Sequence, residues 1–192
     1  MVVNAGGDGI DSNGDLLVTG GETYVWGPSD NANGALDYAG SASVTGGVFI
    51  AVGSTGMAMG FGSSSTQYSA MVNSSGSGGA ELVITDSAGS TLISCVPAKA
   101  YSSVIFSAPG MAEGETYTLS SGGVELASVT LSGIATNAGG GMGGMQGGMG
   151  GGRGQGGFTA PDGGTAPGTE GGNAPETPSG SGMQGQTPPA MP

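Results

Sequence analysis

Acidic residues are clustered near the start of the chain, in a glycine-rich setting. The segment GGDGIDSNGD, residues 6–15, carries Asp8, Asp11, Asn13 and Asp15, and Asp37 follows in the similar segment GALDYAG. Carboxylate and amide oxygens are ligands that Ca²⁺ prefers, and glycines allow nearby carbonyl groups to turn toward an ion. We therefore expect these five residues to form a calcium site. The alternative is a set of solvated turns in which Asp and Asn favour the bend.

Two known calcium motifs do not fit this segment. Asp11, Asn13, Asp15 and Glu22 fall at the spacing of an EF-hand loop, but Leu16 occupies the position where the sharp turn requires glycine. The glycine-rich calcium nonapeptide works by tandem repetition every nine residues, and here it is matched only once. A calcium site in this chain would therefore depend on a different repeat.

The overall composition excludes several classes of function. The 192 residues carry a formal charge of −12, with Lys99 and Arg153 as the only basic side chains and no histidine. A chain without a basic patch is not expected to bind nucleic acid. The absence of histidine excludes Ser-His-Asp and Cys-His catalysis. The single cysteine, Cys95, is expected to be a half-buried strand residue. We predict neither a membrane-spanning segment nor a signal peptide in this sequence.

A repeat with an offset of 26 residues organises the first part of the chain. Asp11 aligns with Asp37, Ile10 with Leu36, and the segment VTGG occurs at residues 18–21 and again at 44–47. A fixed period of this length is typical of repeat architectures, and the β-branched residues between glycine turns favour strands. We therefore predict an all-β chain, with a right-handed parallel β-helix of about 26 residues per coil. Stacked coils would place Asp11 directly over Asp37, about 4.8 Å away.

The pattern divides the chain into three predicted parts. Residues 1–79 are predicted to form the β-helix coils, and residues 80–137 an antiparallel β cap with hairpin turns at DSAGS and SSGG. Residues 138–192, which are rich in Gly, Met and Pro, are predicted to be a disordered tail. Because Met1 enters in the middle of a predicted coil, we expect the coils to be the end of a longer solenoid.

An ordered series of motifs runs through residues 1 to 133. It begins with AGGDGIDSNGDLLVTGG and GALDYAGSASVTGG, and continues through DSAGSTLIS to PAKAYSSVIFSAPGMAEGETYTL. This series resembles a bacterial family of carbohydrate-binding-domain proteins. Known members are right-handed parallel β-helices similar to calcium-dependent pectate lyases. The resemblance implies a secreted or cell-surface protein that binds calcium and polygalacturonate-type polysaccharide. It also implies that Asp8, Asp11 and Asp37 are the best candidates for calcium ligands.

The expected function is non-catalytic binding of acidic plant polysaccharide with the help of calcium. A pectate lyase would need a Lys or Arg as base, and Lys99, the first in the chain, is expected to be a solvated surface residue. The alternatives are a structural surface protein or adhesin without glycan affinity, and a fragment of a calcium-dependent lyase. Trp26 and Tyr38 are the aromatic candidates for stacking on a sugar, although either side chain could pack in the core instead.

Overall fold

The computed structural model describes residues 1–138, and all regular structure in this range is β-strand. The strands are β1 (Val2–Asn4), β2 (Ile10–Ser12), β3 (Leu16–Val18), β4 (Glu22–Trp26), β5 (Leu36–Tyr38), β6 (Ala42–Val44), β7 (Val48–Gly53), β8 (Ser69–Gly76), β9 (Leu82–Thr85), β10 (Thr91–Cys95), β11 (Tyr101–Ser107), β12 (Thr116–Ser121), β13 (Val124–Thr130) and β14 (Ala135–Ala138). A membrane-spanning helix is not found in this described range.

The strands form four separate sheets. The largest has six strands in the order β1-β4-β7-β11-β8-β14, and it is mixed, because β11 runs antiparallel to both β7 and β8 while the other pairs are parallel. The second sheet is antiparallel, in the order β10-β9-β12-β13. Two further sheets each contain one parallel pair, β2 with β5 and β3 with β6.

The prediction of a right-handed parallel β-helix is wrong. The all-β expectation holds for residues 1–138, but their strands are short and belong to small mixed and antiparallel sheets. The physical reason lies after β7, where the 26-residue repeat ends and the apolar strand β11 enters the middle of the six-stranded sheet. Strand β11 contains a continuous run of five buried residues, 103–107. It therefore fits a central position in the sheet, where both of its faces are covered.

The repeat nevertheless determines the local pairing in the first part of the chain. Ile10 pairs with Leu36, Leu16 with Ala42, and Glu22 with Val48, each across two parallel strands and each 26 residues apart. Strand β1 is different, because it pairs Val2 with Tyr24. The identical VTGG segments give both copies the same turn, so the strands that follow start in the same register.

The predicted cap contributes to more than one sheet. Strands β9, β10, β12 and β13 form the antiparallel sheet, whereas β11 and β14 join the six-stranded sheet beside β8. That larger sheet therefore takes strands from both sides of the predicted boundary between residues 79 and 80. The predicted tail lies outside the described residues, except for Ala138 at the end of β14.

The core consists of two clusters on opposite faces of the six-stranded sheet. One cluster lies against the four-stranded sheet and includes Phe106 with Tyr117, whose ring centroids are 6.4 Å apart. The other lies against β5 and β6 and includes Phe49 with Phe61, whose centroids are 5.0 Å apart. Ile105 belongs to this second cluster although Phe106 belongs to the first, because successive side chains of a strand point to opposite faces.

Candidate functional site

Asp11 and Asp37 are direct neighbours on parallel strands. They are register partners of β2 and β5, between the pairs Ile10–Leu36 and Ser12–Tyr38. Leu36 is fully buried, so the alternation of a strand turns Asp37 toward the outside of the sheet. Asp11 is exposed and Asp37 is half-buried. Two carboxylates on strands about 4.8 Å apart repel each other unless a cation lies between them.

Asp8 and Asp15 have a different role, because each accepts a hydrogen bond from a backbone N–H 26 residues further along the chain. Asp8 Oδ1 accepts from the N–H of Gly34 at 2.8 Å. Asp15 Oδ1 accepts from the N–H of Ser41 at 2.8 Å and from its hydroxyl at 2.9 Å. These bonds favour the ionised form and hold the pKa of the Asp15 carboxyl below its usual value. Both carboxylates therefore connect the two copies of the repeat.

The segment around Asn13 is a compact turn. The Ser12 hydroxyl donates to the carbonyl of Asp15 at 3.0 Å, and the N–H of Gly14 donates to the Ser12 hydroxyl at 3.2 Å. Asn13 itself is exposed at the tip of this turn. The turn directs the Asp15 carboxylate toward Ser41, the residue just before β6, and so gives Asp15 a hydrogen-bond partner in the second copy of the repeat.

The five predicted calcium ligands are not brought together as one cluster. Within residues 1–138 no group of three or more His, Cys, Asp and Glu side chains is close enough to hold a metal ion. Asp8 and Asp15 are hydrogen-bonded to Gly34 and Ser41, whereas Asp11 and Asp37 remain side by side. The arrangement thus leaves one pair of adjacent carboxylates, which can supply at most four oxygen ligands.

The two aromatic candidates occupy different environments. Trp26 is only 7% exposed and packs in the core cluster that faces the four-stranded sheet, with the Tyr24 ring centroid 6.1 Å away. Tyr38 is half-buried, and its hydroxyl donates to the carbonyl of Gly60. Burial raises the pKa of the Tyr38 hydroxyl. Of the two rings, only Tyr38 is accessible to a ligand.

Tyr38 lines a groove that no pattern in the sequence indicated. The groove has a volume of about 570 Å³ and is lined also by Met59, Phe61, Met71 and Asn137. Its residues come from four distant parts of the chain, so no local spacing connects them. The bonds from Asp8 and Asp15 did leave a signal, since the 26-residue offset itself aligns Asp8 with Gly34 and Asp15 with Ser41.

The two cationic groups of the described region are hydrogen-bonded to backbone carbonyls, and its cysteine is half-buried. The Lys99 ammonium donates a hydrogen bond to the carbonyl of Ala5, and the amino group of Met1 donates to the carbonyl of Glu22 at 2.5 Å. Burial, with a smaller effect of Glu81, raises the pKa of the Cys95 thiol to about 11. Cys95 therefore remains a thiol near neutral pH and is a poor nucleophile.

The sequence matches no protein-family model, and searches of curated proteins and of solved structures find no match either.

Proposed function

We propose that the protein is a non-catalytic, calcium-dependent binder of acidic polysaccharide at the cell surface or outside the cell. The observation that supports this proposal is the pairing of Asp11 with Asp37 on the outer face of adjacent parallel strands. The two carboxylates are close enough to share one cation. Lys99 and the amino terminus, the positive groups of the described residues, donate to backbone carbonyls instead.

The aspartate pair supplies too few oxygens for a calcium site made of protein ligands alone, and it fits an ion that the protein shares with a bound ligand. Ca²⁺ takes six to eight oxygen ligands, and Asp11 with Asp37 can supply about four of them. The remaining positions would be filled by water or by oxygens of a ligand. Calcium in such a site would neutralise the protein carboxylates and attract further carboxylates, which a polyuronate chain carries on every sugar.

The aromatic residues do not enter this proposal. Trp26 is buried in the core, and Tyr38 lies on the opposite side of β5 from Asp37, because the side chains of a strand alternate. A sugar held at the aspartate pair would not reach the groove at Tyr38. Binding is therefore expected to depend on charge and calcium, and a neutral glucan is expected to bind weakly or not at all.

Affinity electrophoresis tests the proposal directly. In gels containing polygalacturonate, we expect retardation of the protein with calcium and none with chelator, because the unbridged partners are both anionic. A gel with neutral dextran should show no calcium effect. The variants Asp11→Asn and Asp37→Asn should each lose the retardation, since either change leaves a single carboxylate for the ion.

The matched control is Asp30→Asn. Asp30 is also exposed, but its carboxylate accepts bonds from the N–H of Ala32 and the side chain of Asn33 within its own turn. This variant should be retarded like the original protein. Equal migration with calcium and with chelator would overturn the bridging mechanism and favour a purely structural surface protein. Release of unsaturated uronides would instead show a lyase.

A further inference from the structure

The groove at Tyr38 lies beside the last strand of the described structure. Strand β14 stands at the end of the six-stranded sheet, where it pairs with β8. Asn137 of β14 and Met71 of β8 both line the groove. Because Asn137 is followed directly by Ala138, the chain leaves the described structure at the rim of this groove.

The lining of the groove is apolar and continuous with the core. Phe61 and Met71 are buried members of the second core cluster, and Tyr38 packs against that cluster. Met59 contributes a second thioether to the lining. None of the described residues that line the groove carries a charge. The groove therefore suits uncharged apolar side chains and offers no partner to the carboxylates of a polyuronate.

The segment that follows Ala138 carries side chains of this kind. Its sequence is GGGMGGMQGG, residues 139–148, in which Met142 and Met145 are the only large apolar side chains. Methionine side chains are flexible, fit irregular apolar surfaces and make favourable contacts with aromatic rings. Tyr38 and Phe61 supply two such rings in the groove. The glycines between the methionines add no side chain that would have to be accommodated.

The short connection to the groove favours these two methionines over the more distant ones. Met142 follows Asn137 by five residues, and an extended chain spans at most about 3.5 Å per residue, so Met142 can reach about 17 Å from Asn137. A short tether keeps the effective concentration of a tethered group in the millimolar range, and longer tethers lower it. Met183 and Met191, much further along the chain, are therefore weaker competitors for the groove.

We propose that residues 139–148 bind in this groove and place Met142 and Met145 against the rings of Tyr38 and Phe61. The bound segment covers the side of the second core cluster that lines the groove. This part of the predicted tail then belongs to the folded domain. The competing occupants are the same segment of a second copy of the chain and a separate apolar ligand, and the experiments below distinguish them.

The first test is nuclear magnetic resonance of the methionine methyl groups in the full chain, recorded in chelator so that the calcium proposal is not involved. We expect Overhauser contacts from the methyl groups of Met142 and Met145 to the Tyr38 ring. Changing both methionines to Ser should shift the methyl signals of Met59 and Met71, which line the groove.

The matched control changes Met183 and Met191 to Ser, which removes the same number of thioethers from a more distant part of the chain. This variant should leave the methyl signals of Met59 and Met71 unchanged. Unchanged signals in the Met142 and Met145 variant as well would overturn the proposal and leave the groove to a separate ligand.

The second test measures oxidation by dilute peroxide, followed by mass spectrometry. Met142 and Met145 should oxidise at least about threefold more slowly than Met183, because a bound thioether is shielded from the oxidant. Ser63→Arg places a charge on an exposed residue that lines the groove, and should remove this protection. Ser128→Arg, the same change at an exposed serine of β13, should leave it intact.

Dilution separates the chain's own segment from that of a second copy. Binding within one molecule does not depend on protein concentration, so the protection of Met142 and Met145 should be the same over a hundredfold dilution. Protection that disappears on dilution, together with a dimer in ultracentrifugation, would overturn the proposal in favour of a second copy. Equal oxidation rates for Met142, Met145 and Met183 at every concentration would overturn it as well.

Discussion

Gly40, in the parallel region of residues 1–53, and Gly89, in the antiparallel sheet of β9, β10, β12 and β13, are glycines for different reasons. In the parallel region, a Cβ on Gly40 would lie against Asp15 Oδ1 and 2.9 Å from the carbonyl oxygen of Gly14. In the antiparallel region, Gly89 has a φ of +80° and no atom within 4 Å of its missing Cβ. Glycine is needed in the first case for close approach and in the second for a left-handed backbone.

Asp86 in the antiparallel sheet and Asp15 in the parallel region accept hydrogen bonds over different distances along the chain. Asp86 binds the N–H groups of Ala88 and Ser90, at 3.0 and 2.7 Å, within the hairpin turn that joins β9 to β10. Asp15 binds the N–H of Ser41, which is 26 residues away. The hydrogen bond is chemically the same, but the first closes a local turn and the second joins two copies of a repeat. The parallel region therefore depends on long-range register, whereas each hairpin of the antiparallel sheet is locally determined.

The largest expected effect comes from removing a core ring on either side of the six-stranded sheet. Phe49→Ala and Phe106→Ala should each lower the free energy of unfolding by about 3–5 kcal/mol, because both side chains are fully buried. Trp26, the single tryptophan, lies in the same cluster as Phe106 and reports on that face. If the faces unfold together, Phe49→Ala should shift the urea midpoint of Trp26 fluorescence and of circular dichroism equally. A shift in dichroism alone would show that the two regions unfold separately.

The next effect tests the two uses of glycine. Gly40→Ala should lower the free energy of unfolding by about 1–3 kcal/mol, because the added methyl group must displace backbone of the neighbouring copy. Gly89→Asn should cost less, since Asn tolerates a left-handed backbone and open space surrounds the site. Urea denaturation of both variants gives the comparison. Equal losses in the free energy of unfolding would mean that close approach to the neighbouring backbone does not determine the cost of the change at Gly40.

The smallest effect is in the dependence of stability on pH. The pKa of Asp15 is lowered in the folded state, chiefly by its hydrogen bonds to Ser41. A lowered pKa stabilises the folded state above the unfolded value, near pH 4, and this contribution is lost as the pH falls through the folded pKa. Asp15→Asn should therefore lose less stability than the original protein on acidification below about pH 4. Thermal unfolding between pH 2 and 6 measures the difference, and parallel curves would contradict it.

The local features of the fold could be predicted from the sequence. The 26-residue offset placed Asp11 opposite Asp37. The DSAGS segment indicated the turn between β9 and β10. Both predictions succeed because identical or glycine-rich turns impose the same geometry wherever they occur. The hairpin joining β12 and β13 follows the same rule at SSGG. In each case the signal and the structure lie within one repeat or one turn.

The arrangement of the sheets could not be predicted in the same way. The apolar run of β11 is compatible with any covered strand position, and nothing in its sequence indicates that it enters between β7 and β8. Trp26 illustrates the consequence for the site. The alternation of side chains along β4 is compatible with either a core or a surface position for Trp26. The four-stranded sheet packs on the face that carries Trp26, so the side chain is buried. Which faces are covered depends on distant strands.

The bonds between residues 26 positions apart also limit how the length of this region can change. Deleting one residue between Asp8 and Gly34 would shift every later partner by one position and turn apolar side chains outward. Removing or adding a complete unit of 26 residues keeps each aspartate opposite a backbone N–H group and keeps each glycine beside the backbone of the neighbouring copy. We therefore expect this region to tolerate the insertion or deletion of complete units better than that of single residues, whereas the turn at residues 86–90 is closed by hydrogen bonds within itself.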